Sequence, residues 1–217
     1  MHRAEYLRRW SELHGGVPAA GLVGGWLAMS HSLARPLVRA RVGPDAVTAF
    51  GLLLAVAALV PAAAGGRWAL AVAAVVTVAG VLDNVDGAVA VMTGRVTRWG
   101  AVLDALADRL ADAAFVGVLW LLGAPGWAVV AGGAIAWFHE YVRARAGVAG
   151  MSDVGVVTLS ERPTRIVVTV MFALGCGLYP GSAEHWAFAG ATAWVVIGAV
   201  GLVQLLRVVR RRLAAHR

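Results

Sequence analysis

Lysine is absent from this chain: all 19 basic residues are arginine. Cysteine is reduced to a single residue, Cys176. No intramolecular disulfide can form, and a lone thiol inside an apolar run reads as buried and inert. Charge is scarce, at 14% of residues, against 60% hydrophobic residues and a mean hydropathy of +0.75. Those values exclude an ordinary soluble domain and indicate one integral membrane domain. No cleavable signal peptide is expected, because the first apolar stretch comes late, follows an arginine-rich start and lacks a convincing cleavage site. The formal net charge of +7 would suggest nucleic acid in a soluble chain. Here the arginines stand at the ends of apolar spans. No nucleic-acid partner is expected; anionic head groups and anionic substrates in or on a lipid bilayer are.

Residues 1–16 are polar with Tyr6, Leu7, Trp10 and Leu13 interleaved. That pattern predicts a short interfacial helix with Trp at head-group depth. Residues 17–42 hold an apolar piece too short to span comfortably, followed by Arg35, Arg39 and Arg41. They are read as a helix along the membrane surface, its arginines turned to water and phosphate; a seventh span is the alternative. Six apolar segments follow, at about 46–64, 67–93, 98–121, 126–147, 163–180 and 186–206, each long enough to cross a bilayer. The expected fold is therefore an all-α integral membrane protein with six transmembrane helices and an N-terminal interfacial helix. Its parts would be an N-terminal segment over 1–42, a six-helix domain over 43–207 and a basic tail over 208–217. Arginine concentrates in the N-terminus, the 94–98 loop, the 143–165 connection and the C-terminal tail. The positive-inside rule then puts both termini in the cytoplasm, in the inner membrane. The nine tryptophans fit interfacial belts.

Inside two of these apolar segments stand Asp83, Asp86, Asp104 and Asp108. A carboxylate in a membrane helix costs a few kcal/mol or more, about 3 on insertion scales, so each needs a reason. The three- and four-residue spacings put each pair on one helix face. Two such faces offer oxygen ligands for a hard divalent cation such as Mg2+. Gly87 and Gly100 leave room for a ligand or a neighbouring backbone. Asp108 lies one helical turn, about 6 Å, beyond Asp104.

These residues carry a resemblance. Asp83, Asp86, Gly87, Ala90, Gly100, Asp104 and Asp108 match, at the right spacings, the signature D-x2-D-G-x2-A-R-x8-G-x3-D-x3-D of the CDP-alcohol phosphotransferase family. The arginine after the alanine is Val91 here. The resemblance implies transfer of a phosphatidyl group from a CDP-linked lipid, CDP-diacylglycerol, to an alcohol, with release of CMP. It implies two metal ions, Mg2+ or Mn2+, held chiefly by Asp83, Asp86 and Asp104, with Asp108 as general base and further metal contact. It assigns Gly87, Ala90 and Gly100 to the CDP site and implies a homodimer. Valine cannot replace the missing guanidinium; Arg95, one turn further on, is positioned to reach back.

The segment G-P-D-A-V-T at 43–48 is similar to the P-D-x-V-T segment of the same family, where Pro44 and Thr48 would border the cytidine. As a bare sequence it is also a helix start. E-Y-V-R-A-R at 140–145 and E-R-P-T-R at 161–165 resemble actinobacterial phosphatidylinositol phosphate synthases. That resemblance makes Arg143, Arg145 and Arg165 the expected acceptor contacts, with Arg145 and Arg165 cradling a phosphate. The acceptor is then a phosphorylated polyol, inositol phosphate ahead of glycerol phosphate. Glu140 departs from the serine of those enzymes; it would repel an acceptor phosphate or pair with Arg143. Asp112 is read as a structural partner of Arg109 or another polar group, and His139 as a polar residue at a helix end. Two other functions compete. One is a metal or proton transporter that uses its intramembrane carboxylates as a relay. The other is a catalytically impaired relative, suggested by Val91 and Glu140.

Overall fold

The computed structural model describes residues 1–13, 15–151 and 157–214. Among these the regular structure is helical throughout: α1 (Arg3–Leu13), α2 (Gly21–Arg39), α3 (Pro44–Ala57), α4 (Leu59–Ala64), α5 (Ala69–Thr93), α6 (Arg98–Leu121), α7 (Gly126–Val148), α8 (Arg162–Leu178) and α9 (Ala183–Ala214), with short 3-10 turns at Gly66–Trp68 and Pro180–Ser182. Among the described residues three stretches are long and apolar enough to cross a membrane, Pro44–Ala64, Gly66–Thr93 and Pro180–Ala214. The expected segment 46–64 is divided. Pro61 has no N–H to give the carbonyl of Ala57 and its ring crowds that carbonyl, so α3 ends at Ala57 and α4 resumes at Leu59.

The chain forms two compact units: Met1–Leu54 with Val78–Asp108, and Ala55–Thr77 with Arg109–Arg217. The first unit is organised around Tyr6, Leu27, Ala34, Val47, Val85, Ala88, Val89 and Val91, all buried, with Leu7 and Trp10 packed against them. The apolar face of α1 is thus turned into the protein, and Tyr6 is its buried residue. Trp26 on α2 donates its indole N–H to Asn84 Oδ1 at 3.0 Å, which ties α2 to α5. α2 ends where Arg41 takes a left-handed φ of 60° and the Val42 N–H reaches back to the Leu37 carbonyl at 3.0 Å. Pro44 then opens α3, the helix position where its fixed φ and missing N–H cost nothing.

In the second unit α9 packs along α7 and α8. Membrane helices approach closely through small residues, because lipid supplies no hydrophobic drive for their association. Gly190 and Gly198 of α9 show how close: a Cβ on the first would lie 2.8 Å from Phe172 Cβ on α8, and one on the second 2.9 Å from Ile135 Cγ2 on α7. Trp194 on the same helix is buried and donates to Thr169 Oγ1 at 3.1 Å. Cys176 is a free, buried thiol, as expected. His139 differs from expectation. It lies inside α7, fully buried, with Nε2 3.0 Å from Thr158 Oγ1. Its placement follows from the chain folding back at Thr158, which the local pattern around residue 139 does not encode.

Candidate active site

In the first unit α5 presents Asp83 and Asp86, and α6 presents Asp104 and Asp108. α6 begins where Thr97 caps it: the Gly100 N–H donates to Thr97 Oγ1 at 2.9 Å, the standard service of an N-cap hydroxyl. Asp83, Asp104 and Asp108 each offer one carboxylate oxygen, and the three oxygens lie within 4.8 Å of one another. Ligands on opposite sides of a hard divalent cation lie roughly 4–5 Å apart, so the set fits such an ion. Asp83 and Asp108 are half-buried and Asp104 is exposed.

Asp86 stands apart from that group. It is buried, and its Oδ2 accepts the Thr48 hydroxyl at 2.6 Å while its Oδ1 accepts the Gly87 N–H. Thr48 therefore does more than open a helix: it fixes a motif carboxylate.

Asp83, Asp86 and Asp104 line a cavity of about 1170 Å3, together with Pro44, Thr48, Gly87, Ala90, Arg95 and Gly100. Gly87 faces open space, with nothing within 4 Å of where a Cβ would sit. Its small size is therefore not required by helix packing. A Cβ on Gly100 would come within 3.1 Å of Thr97 Oγ1 and so press on the cap of α6. Arg95 reaches the cavity by a different route from the one expected. α5 stops at Thr93 and Gly94 turns the chain with φ 69°. The Arg95 N–H then donates to the Ala90 carbonyl at 2.9 Å, the closing pattern of a left-handed helix cap. Arg95 is thus on the turn and not on the helix face. Val91, where the motif expects arginine, is 5% exposed in the apolar cluster under α1 and α2. Val91 nonetheless lines the same cavity.

Trp26, Asn84, Tyr6 and Trp10 line the same cavity, although the sequence assigns none of them to the site and reads Tyr6 and Trp10 only as part of an interfacial helix. The only local signal was Asn84, a polar amide between two motif aspartates.

The second unit carries a chain of ion pairs. Arg109 meets Asp112 at 3.2 Å and Glu140 at 3.5 Å. Arg143 meets Glu161 at 2.7 Å and Glu140 at 3.7 Å. Arg165 meets Asp112 at 3.3 Å and Glu140 at 3.7 Å. Asp112 is thus a partner of Arg109, as read, and of Arg165 as well. Glu140 takes the pairing alternative, with three arginines instead of one. Arg165 is 1% exposed and donates to the Ser160 carbonyl at 3.0 Å, whereas Arg145 is exposed. Of the expected acceptor contacts, Arg143 and Arg165 share this network. Residues 152–156 of the 143–165 connection lie outside the described residues. Burial alone would raise the Glu161 carboxyl, but hydrogen bonds from the Thr158 N–H and from Arg143, with the charge of Arg143, hold it below the usual range.

Residues 41–205 match the family model for CDP-alcohol phosphatidyltransferase. A phosphatidylinositol phosphate synthase of Cutibacterium acnes is 34% identical over 205 residues, covering 86% of this chain and 95% of that protein. One from Mycobacteroides abscessus is 36% identical over 177 residues, covering 76% and 78%. Among solved structures, the phosphatidylinositol phosphate synthase of Mycobacterium tuberculosis with CDP-DAG bound superposes with a TM-score of 0.68 at 30% identity, covering 83% of this chain and 92% of that one. The same enzyme in complex with manganese and citrate gives 0.69 at 31% identity, covering 83% and 88%. With the seven motif positions in place, the aspartate oxygens gathered on α5 and α6, and a match over most of its length, the chain is a transferase of the CDP-alcohol phosphatidyltransferase family.

Proposed function

We propose that this protein transfers the phosphatidyl group of CDP-diacylglycerol to inositol phosphate and releases CMP. The observation that carries the reading is the meeting of Asp83, Asp104 and Asp108 within 4.8 Å, two of them on the wall of a cavity large enough for a nucleotide and its lipid. Pro44, Thr48, Gly87, Ala90, Arg95 and Gly100 border the donor. Open space at Gly87 supports close approach of the CDP moiety. Arg95 supplies the positive charge that Val91 does not.

Asp83, Asp86, Asp104 and Asp108 would hold two divalent ions, Mg2+ or Mn2+. When bound, such ions neutralise the pyrophosphate and favour departure of CMP. Asp86, fixed by Thr48, holds its carboxylate in one orientation, which spares the site the entropy of ordering it. Asp108 takes the proton of the acceptor hydroxyl. The freed oxygen forms a bond to the lipid-side phosphorus, and the bond from that phosphorus to the bridging oxygen breaks, leaving CMP.

The inositol phosphate acceptor is supported by the names of the relatives and by the arginines of the second unit. Arg143, Arg145 and Arg165 would receive its phosphate, and guanidinium forks suit that task. Three further features belong to the proposal: six membrane spans, with both termini on the cytoplasmic side of the inner membrane; a catalytic domain over 43–207 between an N-terminal segment (1–42) and a basic tail (208–217); and a homodimer. Arginine in the alternate connections supports the orientation, and the family match over 41–205 supports the boundaries.

The deciding experiment is CMP release from CDP-diacylglycerol by the reconstituted protein, with and without Mg2+, against inositol phosphate, glycerol phosphate and free inositol. Release that needs the metal and is fastest with inositol phosphate supports the reading. Fastest release with another alcohol replaces the acceptor. Donor binding without release identifies an impaired relative, and ion movement across vesicles without release identifies a transporter.

A further inference from the structure

The first unit has a second cavity, of about 490 Å3, which shares no lining residue with the first. Arg3, Arg35 and Arg39 line it, with His2, His31 and Ser32, and among the described residues no carboxylate does. The sequence builds it from one helix face and one helix start. His31, Arg35 and Arg39 follow one another at four-residue intervals on α2 and so point to one side. Arg3 is the first residue of α1. His31 holds the two together. It is 4% exposed, its Nε2 stands 3.3 Å from the Met1 carbonyl, and its ring lies 5.3 Å from that of Tyr6.

None of Arg3, Arg35 and Arg39 pairs with a carboxylate among the described residues. The contrast within the chain is informative. Arg109, Arg143 and Arg165 each meet acidic side chains within 4 Å, so the fold answers clustered guanidiniums where it uses them internally. Three like charges around one concave wall repel, and the wall concentrates their field on whatever enters. A ligand with negative charge relieves that repulsion. Guanidinium forks match the oxygens of a phosphate two at a time. Val38 and Met92 complete the wall with apolar surface, against which the carbon skeleton of a phosphate ester can rest.

We propose that this cavity is a phosphate site separate from the aspartate cavity. Its ligand is the phosphate of an anionic phospholipid headgroup or of a soluble phosphate compound. The inference does not depend on the acceptor or on turnover, and it is tested by binding alone.

The test uses the full chain in neutral detergent with a chelator present, so that no divalent ion bridges phosphate to the aspartates. Inorganic phosphate is titrated by calorimetry. In parallel, the protein is taken from vesicles of phosphatidylcholine with or without phosphatidylglycerol, and the lipid it retains is weighed by native mass spectrometry. Arg35 and Arg39 are exposed, so the double variant Arg35→Gln/Arg39→Gln is expected to keep the fold, and Arg3→Gln provides an independent second reading. Bonds to charged groups support a loss of about tenfold or more in affinity for the double variant. Phosphate binding lost in the variants identifies a soluble source. Phosphatidylglycerol retained by the wild type and lost in the variants identifies a headgroup. Failure of the wild type to hold either probe overturns the proposal, as does undiminished binding in both variants, which would assign these arginines to general anchoring.

Discussion

Glu140 Oε1 stands 3.7 Å from Arg165 Nη2. An acceptor phosphate directed to that arginine meets a carboxylate already there. Glu140→Gln removes the competing charge, while Asp112, 3.3 Å from the same guanidinium, keeps it paired. The KM for inositol phosphate is expected to fall by about threefold to tenfold, the scale of one charge-assisted hydrogen bond. The KM for CDP-diacylglycerol should not move. A higher acceptor KM in this variant would make Glu140 a support for the arginines instead.

Loss of a single carboxylate from the group of three should be felt as loss of metal. Asp83→Asn and Asp104→Asn are each expected to abolish Mg2+-supported CMP release, and chelation should do the same to the wild type. Thermal unfolding in detergent should stay close to wild type, since neither residue is fully buried. Normal turnover in either variant would remove that residue from the site.

Asp108→Asn keeps shape and removes basicity. General-base catalysis contributes about 10²–10⁴-fold, so turnover is expected to fall by at least two orders of magnitude with CDP-diacylglycerol binding retained. Joint loss of metal and nucleotide binding would make Asp108 mainly a ligand.

Arg145 and Arg165 should separate cleanly. Arg165→Ala leaves Asp112 buried with a partner missing, and breaking a buried pair costs about 3–5 kcal/mol. A lowered melting temperature is expected alongside a raised acceptor KM. Arg145 is exposed, so Arg145→Ala should raise the acceptor KM without altering stability. Equal, small effects on both substrates would mark the arginines as membrane anchors.

Glu161 ties acid sensitivity to the same network. Its folded pKa lies below the ordinary value. The stability it contributes is therefore present above the unfolded carboxyl range and lost as pH falls through the depressed folded value. Glu161→Gln should be less stable at neutral pH and should flatten the acid limb of a melting-temperature profile. An unchanged acid limb would show that other carboxylates set it.

Much of the donor side was legible because a helix converts spacing into direction. Asp104 and Asp108 are four apart, so any helix over them gathers both on one face. Asp86 was legible as a motif member but not in its engagement. Its partner Thr48 is 38 residues away, and only the packing of α3 against α5 within the first unit brings them together. Arg95 is expected to reach back at helical spacing, although the segment ends at residue 93 and Gly94 turns the chain. The glycine was visible, and a φ of 69° is the conformation it favours. Pro61 was equally visible, but apolarity continues on both sides of it and hides the break at Ala57. The local pairs of the ion-pair chain, Arg109 with Asp112 and Glu140 with Arg143, were legible at three-residue spacing; their joining was not, since Arg109, Glu140, Glu161 and Arg165 lie on separate stretches of sequence. Val91 departs from the motif at a position that belongs to the Tyr6, Leu27 and Ala34 cluster and also lines the cavity, and nothing in the structure explains the departure.

Cys176 is 0% exposed and its thiol donates to the Ala183 carbonyl at 3.3 Å. The chain has no other cysteine, so a membrane-impermeant maleimide should leave the natural protein unlabelled. Every cysteine placed at a loop position then becomes the only reactive thiol in the molecule. Introduced singly at Arg95, at Gly126, where a side chain meets nothing within 4 Å, and at Tyr179, and challenged from either side of sealed vesicles, such residues would report the side on which each connection lies, with no background to subtract and no native cysteine to replace first.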